Sequence, residues 1–301
     1  MIFERIDRLS TEKRNLSTLN IDRVSTIEFV EIFNEQNLTV MKAIEDEKEN
    51  IVSLIEKAVS VHRNRGNIIF IGAGASGITA IRCVDEYKKR TGENDRFQAI
   101  MPGSLYPVEA PPKGVEDDPN QGERDVKDAT LLKRDLIIAV SASGRTPYTI
   151  GAIQYASKIG IQTAGITCNT GTALSGMVDY LAELNCGPEV IMGATWLRSA
   201  AAEKALIDMI ISAVMISDGD IYSNLIFEKD LGEEKIIERQ KRVIMYVSGV
   251  DYDVASRNLE RADNDAKAAA VMSARHCDRR QAETLLEECA GHVRQAIELE
   301  P

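Results

Sequence analysis

The sequence predicts an α/β protein built on a parallel sheet that is flanked by helices on both faces. Short apolar runs typical of buried strands alternate with amphipathic segments typical of helices, and most connections between them are short. Two of the runs, residues 67–71 and 136–140, lead directly into loops rich in glycine and serine. The 301 residues provide ample core for one large domain or two modest ones.

Composition and charge exclude several classes of function. The net charge of −11 argues against a nucleic-acid partner, because binding a phosphate backbone needs a basic face. The start, MIFERIDRLSTEKRN, lacks the apolar core of a signal peptide, and the longest markedly apolar segment, residues 205–216, is too short to span a bilayer. We therefore expect a cytoplasmic protein with no membrane partner, whose five cysteines are reduced thiols.

Residues 1 to about 65 are predicted to be helical. Asp22 or Ser25 is placed to cap a helix whose apolar residues Ile27, Val30 and Phe33 recur at helical spacing, and residues 40–61 continue the pattern. We interpret this region as a helical arm, with residues 1–50 as a separate unit, packed on the main domain at residues 51–232.

The first glycine-rich stretch, GAGASG at residues 72–77, lies between a predicted strand and a predicted helix from Ile78 onward. Its G-x-G-x-x-G spacing is also typical of dinucleotide-binding folds. Those folds place an acidic residue at the end of the next strand, whereas the strand at residues 97–101 ends in Met101-Pro102. Ser76 instead offers a hydroxyl, and together with Gly77 it suits a phosphate.

The second stretch, residues 141–146, follows the strand at residues 136–140 and precedes a helix that begins near Pro147. Ser141, Ser143, Gly144 and Thr146 concentrate donors where the strand ends. Backbone N–H groups at a helix N-terminus, joined by short hydroxyls, form an anion cradle. We predict that this loop binds a sugar phosphate; an ordinary strand-to-helix turn is the alternative reading of the segment by itself.

The region between these loops, residues 102–134, carries five of the eight prolines and many acidic residues. Such a long insertion in a compact domain is usually functional or mobile. Glu116, Asp117 and Asp118 lie within it, and by themselves they indicate a solvated acidic loop.

The remainder of the chain continues the alternation and then becomes helical. Strands are predicted at residues 162–167, which lead into Cys168-Asn169, and at residues 180–184. The apolar helix at residues 200–217 is expected in the core or against another subunit. A small helical domain from residue 233 is predicted from segments at residues 233–247, 254–262, 265–275, 279–288 and 293–299. Its His276, Cys277, Cys289 and His292 match no standard zinc spacing, so no metal site is predicted.

Taken together, these motifs resemble the N-acetylmuramic acid 6-phosphate etherases, which belong to the sugar isomerase (SIS) domain proteins. The resemblance covers nearly the whole chain. It rests on TEKRN at residues 11–15, IDRVST at 21–26, GAGASG at 72–77, VED at 115–117, SASGRTPY at 141–148, CN at 168–169 and GPEV at 187–190. It implies a SIS-type parallel sheet with an N-terminal helical arm and a small C-terminal helical bundle.

The resemblance also implies an activity: cleavage of the lactyl ether of N-acetylmuramic acid 6-phosphate to N-acetylglucosamine 6-phosphate and D-lactate, during cell-wall recycling. No cofactor is implied. The family's two glutamates fall on Glu86 and Glu116. We expect Glu116 to remove the C2 proton of the ring-opened sugar and Glu86 to protonate the departing lactyl oxygen, although the roles could be exchanged. Loops from two subunits complete each site, which implies a homodimer.

Further pocket residues are implied at Ala75, Asn169, Glu189, Thr195, Arg198 and Lys204. Two stretches depart from the family pattern. The family's T-S-G-R-L-G is ASGITA at residues 75–80, so Ile78 stands in place of an arginine. The family's G-S-T-R-x-K-A-G-T-A-Q-K is GATWLRSAAAEK at residues 193–204, with Trp196 in place of another arginine.

Two alternatives to the lyase stay open from the sequence. One is a non-catalytic sugar-phosphate sensor, because SIS domains also serve as regulatory binding modules. The other is an aldose–ketose isomerase or a dinucleotide enzyme. Retention of both Glu86 and Glu116 favours catalysis, since a sensor has no need of two carboxylates near a C2 proton.

Overall fold

The computed structural model describes residues 8–92, 96–103, 114–229 and 232–299. By packing, the chain divides into two compact units. The first comprises Met1–Asp85 and Asp95–Ile210, and the second comprises Glu86–Asn94 and Ile211–Pro301.

The first unit is built on a five-stranded parallel sheet, which confirms the predicted fold class. The strands are β1 (Ile68–Gly72), β2 (Phe97–Ile100), β3 (Leu136–Ser141), β4 (Gln162–Thr167) and β5 (Tyr180–Glu183). Their order across the sheet is β2-β1-β3-β4-β5. β1 and β3 are buried along their whole length, as expected for central strands of a parallel sheet with both faces covered.

Among the described residues, six helices belong wholly or partly to this unit: α1 (Thr26–Asp46), α2 (Lys48–Arg63), α3 (Gly74–Thr91), α4 (Pro119–Asp128), α5 (Pro147–Lys158) and α6 (Arg198–Ser217). Most of the predicted strands and helices agree with the structure to within a few residues, and the start of α3 is one point of difference. α3 begins at Gly74 and not at Ile78, so the glycine-rich stretch forms the first turn of the helix.

α4 was not predicted from the sequence, which indicated a long proline-rich loop in this region. Asp118 caps the helix by accepting a hydrogen bond from the backbone N–H of Asn120 at 2.9 Å, and Pro119 occupies the first turn. α4 packs tightly on α5: a Cβ on Gly122 would lie 1.9 Å from the carbonyl oxygen of Tyr148. The close approach of these two helices explains a glycine that otherwise suggests a loop.

From Thr26 onward the N-terminal region is helical, as predicted, whereas the described residues before it form 3-10 turns at Ser10–Glu12 and Leu16–Thr18. The part of the prediction that concerns residues 1–7 lies outside the described residues. Ser25 caps α1 in a capping box with Glu28, which confirms one of the two predicted caps. The pattern from residue 40 to 61 does not form one helix, because the chain turns at Glu47 between α1 and α2. On α1, Gln36, Val40 and Ala43 are buried, whereas the apolar residues Ile27 and Val30 are exposed.

The second unit contains the predicted small helical bundle. It comprises α7 (Glu234–Ser248), α8 (Tyr252–Arg261), α9 (Ala266–Arg275), α10 (Arg279–Glu288) and α11 (Val293–Glu298), with a short hairpin of β6 (Ile221–Tyr222) and β7 (Leu225–Ile226). α9 is the central helix: its alanine-rich run is buried and packs in one apolar cluster with the other helices. Small side chains allow this close packing.

Candidate functional site

The stretch that we call the first serine loop, residues 72–77, spans the end of β1 and the first turn of α3. Gly72 and Gly77 are needed here because helix and strand approach closely: a Cβ on Gly77 would lie 2.8 Å from the carbonyl oxygen of Gly72. The first turn of a helix presents backbone N–H groups that have no partner within the helix. Ser76, predicted to bind phosphate, lies in this turn and is buried.

The second serine loop, residues 141–146, joins β3 to α5. Its three hydroxyls converge: Ser141 Oγ lies 2.9 Å from Thr146 Oγ1 and 3.4 Å from Ser143 Oγ. Gly144 has a positive φ of 63°, and its Cα faces the side chain of Thr172. The sequence predicted this grouping of Ser141, Ser143, Gly144 and Thr146, and the structure brings these residues together.

The two loops lie side by side. β1 and β3 are adjacent, with Gly72 in register with Val140, while the chain runs from β1 to β2 on the opposite side of β1. This is the topological switch point of the sheet, where ligands of open α/β folds bind. The backbone N–H of Ala142 donates to Ser76 Oγ at 3.4 Å, so the loops are joined directly.

Glu116 lies at the entrance of the first serine loop. It belongs to a 3-10 turn at Val115–Asp117 that precedes α4, and it is exposed. A Cβ on Gly74 would lie 3.1 Å from Glu116 Oε1, so the carboxylate covers the first turn of α3. The turn is followed directly by α4, and the packing of α4 on α5 holds the turn in this place. Glu116 is therefore held against α3, whereas the sequence by itself indicated a solvated acidic loop.

Glu86 lies further along α3, in the second unit. Its side chain is 63% exposed, 3.6 Å from Arg90 and 4.0 Å from Lys89. Arg90 in turn contacts the buried carboxylate of Glu228 at 2.8 Å. Glu86 also lines a cavity of about 300 Å³ with Lys89, Arg90 and Arg239.

Asn169, predicted as a pocket residue, has a structural role in this chain. It is buried, and its Nδ2 donates to the carbonyl of Ala142 at 2.8 Å and to Thr11 Oγ1 at 2.9 Å. Its Oδ1 accepts from Ser10 Oγ at 2.8 Å. These bonds use both amide protons. Asn169 therefore fastens the N-terminal segment behind the second serine loop.

Glu189 and Arg198 are likewise buried at the start of α6. Glu189 caps this helix by accepting from the backbone N–H of Arg198 at 3.0 Å and of Ser199 at 2.8 Å. Arg198 Nη1 donates to the carbonyl of Gln36 at 3.1 Å and to Thr39 Oγ1 at 2.7 Å, and so fixes α1 to α6. Both residues hold the helices together in this structure.

The other implied pocket residues lie nearer the surface. Ala75 is in the first serine loop, and Thr195 is half-buried just before α6. Lys204 is exposed and forms an ion pair with Asp208. The two departures from the family pattern are exposed as well, Ile78 to 36% and Trp196 to 66%.

Glu203 is a fully buried residue of α6 for which the sequence predicted no role. Ser76 Oγ donates to its Oε1 at 2.8 Å. Burial, opposed by this hydrogen bond and aided by the nearby Glu189 carboxylate, raises the pKa of Glu203 to about 8. The signal in the sequence was an acid within an otherwise apolar helix, a pattern that solvent-facing acids share.

Within the described ranges, no group of three or more histidine, cysteine or acidic side chains is arranged to hold a metal ion. All five cysteines are free thiols. Among the helices that the structure describes, none combines the length and apolar character needed to cross a bilayer.

Comparison with known proteins identifies the fold and the family. Residues 50–157 match the glucokinase regulatory protein N-terminal SIS domain, and residues 120–213 match the SIS domain. A phosphoheptose isomerase from Francisella tularensis superposes with a TM-score of 0.47 at 16% identity, over 63% of this chain and 99% of that one.

Two curated relatives match over almost their full length. An N-acetylmuramic acid 6-phosphate etherase of Bacillus cereus is 36% identical over 97% of this chain and 100% of the relative. One from Clostridioides difficile is 36% identical over 99% of this chain and 98% of the relative. The chain therefore belongs to the N-acetylmuramic acid 6-phosphate etherase family.

Proposed function

We propose that this protein is a lyase that cleaves the D-lactyl ether of N-acetylmuramic acid 6-phosphate, yielding N-acetylglucosamine 6-phosphate and D-lactate. The family supports the reaction, and one observation within the chain carries the proposal. A carboxylate, Glu116, covers the helix turn that contains Ser76, next to a second loop of converging hydroxyls. The arrangement suits a phosphate held in the loops with a base beside the sugar.

In this proposal the phosphate is bound by the two serine loops. Ser76, Gly77, Ser141, Ser143, Gly144 and Thr146 contribute hydroxyls and backbone N–H groups. The N-termini of α3 and α5 add their positive dipole ends, which favour an anion. The chain's overall charge of −11 does not prevent this, because the attraction is local.

The chemistry divides between two glutamates. The ring-opened sugar has an acidic C2–H beside its C1 aldehyde, and Glu116 takes that proton. The C3–O bond then breaks, and Glu86 gives a proton to the lactyl oxygen, which leaves as D-lactate. The intermediate has a C2=C3 double bond conjugated with the aldehyde. Water adds at C3, and the C2 proton returns, which completes N-acetylglucosamine 6-phosphate.

The assembly and setting of the enzyme follow from the same proposal. Two subunits form a homodimer and together complete each site, and the enzyme acts in the cytoplasm in the recycling of cell-wall amino sugars. Light scattering should give a mass close to twice 33.2 kDa. A monomer that retains full activity would contradict the shared site.

The proposed activity is tested by incubating the protein with N-acetylmuramic acid 6-phosphate and measuring D-lactate with a coupled dehydrogenase. Glu116→Gln and Glu86→Gln should each lower kcat by about 10²- to 10⁴-fold, the usual contribution of a general acid or base. Asp117→Asn is the matched control: it removes a neighbouring exposed carboxylate and should leave kcat within about twofold.

Two results would contradict the proposal. If no D-lactate forms while N-acetylglucosamine 6-phosphate raises the melting temperature, the protein is a sugar-phosphate sensor. If D-lactate forms at the same rate in Glu116→Gln as in the wild type, the assignment of the base is wrong.

A further inference from the structure

The carboxyl group of Glu203 lies directly behind the first serine loop. It is fully buried, and the hydroxyl of Ser76 is 2.8 Å from its Oε1. Its Oε2 has no hydrogen-bond partner among the residues that the structure describes. Burying an ionised carboxylate without a cation or a full set of hydrogen-bond donors is unfavourable. A neutral carboxylic acid carries no buried charge and needs fewer hydrogen-bond donors.

The groups that face Glu203 also favour the neutral form. Cys168 approaches from the end of β4, Cys186 from the segment after β5, and Glu189 from the loop before α6. Burial raises the pKa of both thiols, of Cys186 to about 12, so they stay uncharged. The charged neighbour is Glu189, a carboxylate whose own hydrogen bonds cap α6 next to Arg198.

The protonation state of Glu203 decides where the single hydroxyl proton of Ser76 points. When Glu203 is ionised, Ser76 donates its proton to Oε1, away from the other serine loop. When Glu203 is protonated, it donates to Ser76 Oγ, which also accepts from the backbone N–H of Ala142 at 3.4 Å. Both lone pairs of the hydroxyl oxygen are then occupied, and its proton is free for a ligand.

We propose that Glu203 is a positioning residue for the phosphate: in its acid form it turns the Ser76 hydroxyl proton toward the bound sugar phosphate, and in its ionised form it prevents this contact. The inference rests on the proposed function, because it places the phosphate at Ser76. A phosphate monoester carries a charge of about −1.5 to −2 near neutral pH, so an ionised Glu203 behind the same hydroxyl would also repel it.

The pH dependence follows from the chemistry of a carboxyl group at this position. A glutamine amide can donate to Ser76 Oγ at any pH, whereas a glutamate can donate only when it is protonated. Binding in this chain should therefore weaken with increasing pH. The sign follows from linkage: binding favours the protonated form, so it is strongest below the pKa of about 8 and is lost above it.

The test is titration calorimetry of the full-length protein with N-acetylglucosamine 6-phosphate between pH 7 and pH 9, a range in which the phosphate is almost entirely a dianion. With a pKa of about 8, the protonated fraction of Glu203 falls from about 0.9 to about 0.09. Wild-type affinity should therefore fall about tenfold. In buffers of different ionisation enthalpy at pH 9, binding should take up about 0.9 proton.

Variants assign the effect to this residue. Glu203→Gln should bind about tenfold more tightly than the wild type at pH 9, with no proton uptake. Ser76→Ala should bind weakly at pH 7 and show a smaller pH dependence than the wild type, because only the repulsion by ionised Glu203 remains. Glu56→Gln, an exposed site on α2, should behave as the wild type does. Proton uptake by the wild-type protein needs no variant, so the test holds even if Glu203→Gln folds poorly.

The outcomes separate this inference from the function on which it rests. Tight binding that is equally insensitive to pH in the wild type and Glu203→Gln would overturn the role of Glu203 and leave the proposed function standing. The same pH dependence in both proteins would also overturn it. Failure of both proteins to bind the sugar phosphate at pH 7 would overturn the phosphate site and this inference together.

Discussion

The geometry of the second serine loop can be tested with two glycines that share a backbone conformation and differ in the space around them. Gly144 has φ of 63° and Gly171 has φ of 62°. A Cβ on Gly144 would lie 2.3 Å from Thr172 Oγ1 and 2.5 Å from Thr172 Cβ, whereas a Cβ on Gly171 would meet nothing within 4 Å. Alanine at either position has the same left-handed strain, but only Gly144→Ala creates a clash.

The magnitudes follow from these contacts. The left-handed backbone conformation should lower the free energy of unfolding of either variant by about 1–2 kcal/mol. The clash should lower the free energy of unfolding of Gly144→Ala by about 1–3 kcal/mol more, because Thr172 is buried and its Cβ cannot rotate away. Since relief of the clash requires the loop to move, Gly144→Ala should also weaken N-acetylglucosamine 6-phosphate binding by about tenfold or more, or about 1.4 kcal/mol.

The assay combines urea unfolding, for the free energy, with calorimetric titration of the sugar phosphate. Gly171→Ala serves as the matched control and should bind within about twofold of the wild type. Equal losses of stability and equal affinities in the two variants would refute the argument, because the clash with Thr172 would then have no consequence for the loop.

Two further predictions concern the scaffold around the site. Arg198→Ala should destabilise the protein by about 3–5 kcal/mol in urea unfolding. The substitution leaves the buried Glu189 carboxylate without its nearest cation and removes the hydrogen bonds to α1. A loss below about 1 kcal/mol would show that Arg198 does not fix these helices. The Asp265 carboxylate caps α9 by accepting a hydrogen bond from the backbone N–H of Ala268 at 3.0 Å. Asp265→Ala removes this cap and should lower the free energy of unfolding by about 1 kcal/mol, while Asp265→Asn should retain most of that stability. Equal effects of the two substitutions would contradict the capping role.

Local sequence patterns were sufficient to predict the five strands, most helices and both serine loops. Apolar runs and the glycines that follow them are local properties of the sequence. The positions of β1, β3 and the helix that begins at Pro147 can therefore be predicted from them. The arrangement of the loops also follows, because parallel strands place their carboxyl ends at one edge.

The features that were not predicted depend on distant contacts. α4 was missed because Pro119 and Gly122 suggest a loop, whereas one begins the helix and the other allows close packing on α5. The structural roles of Asn169 and Arg198 depend on partners near residues 10 and 36, about 160 positions away in the chain. No local pattern in the sequence predicts contacts between residues so far apart in the chain.

Proton exchange at C2 reports on the proposed base, Glu116, without cleavage of the ether. N-acetylglucosamine 6-phosphate is incubated with the protein in D₂O, and loss of the C2 proton signal is followed by NMR. We expect enzyme-dependent exchange that Glu116→Gln abolishes and that Glu86→Gln retains, because exchange needs the base at C2 and no departure of a group from C3. Exchange that persists in Glu116→Gln, or its absence from the wild-type protein while the sugar phosphate binds, would show that Glu116 is not the base at C2.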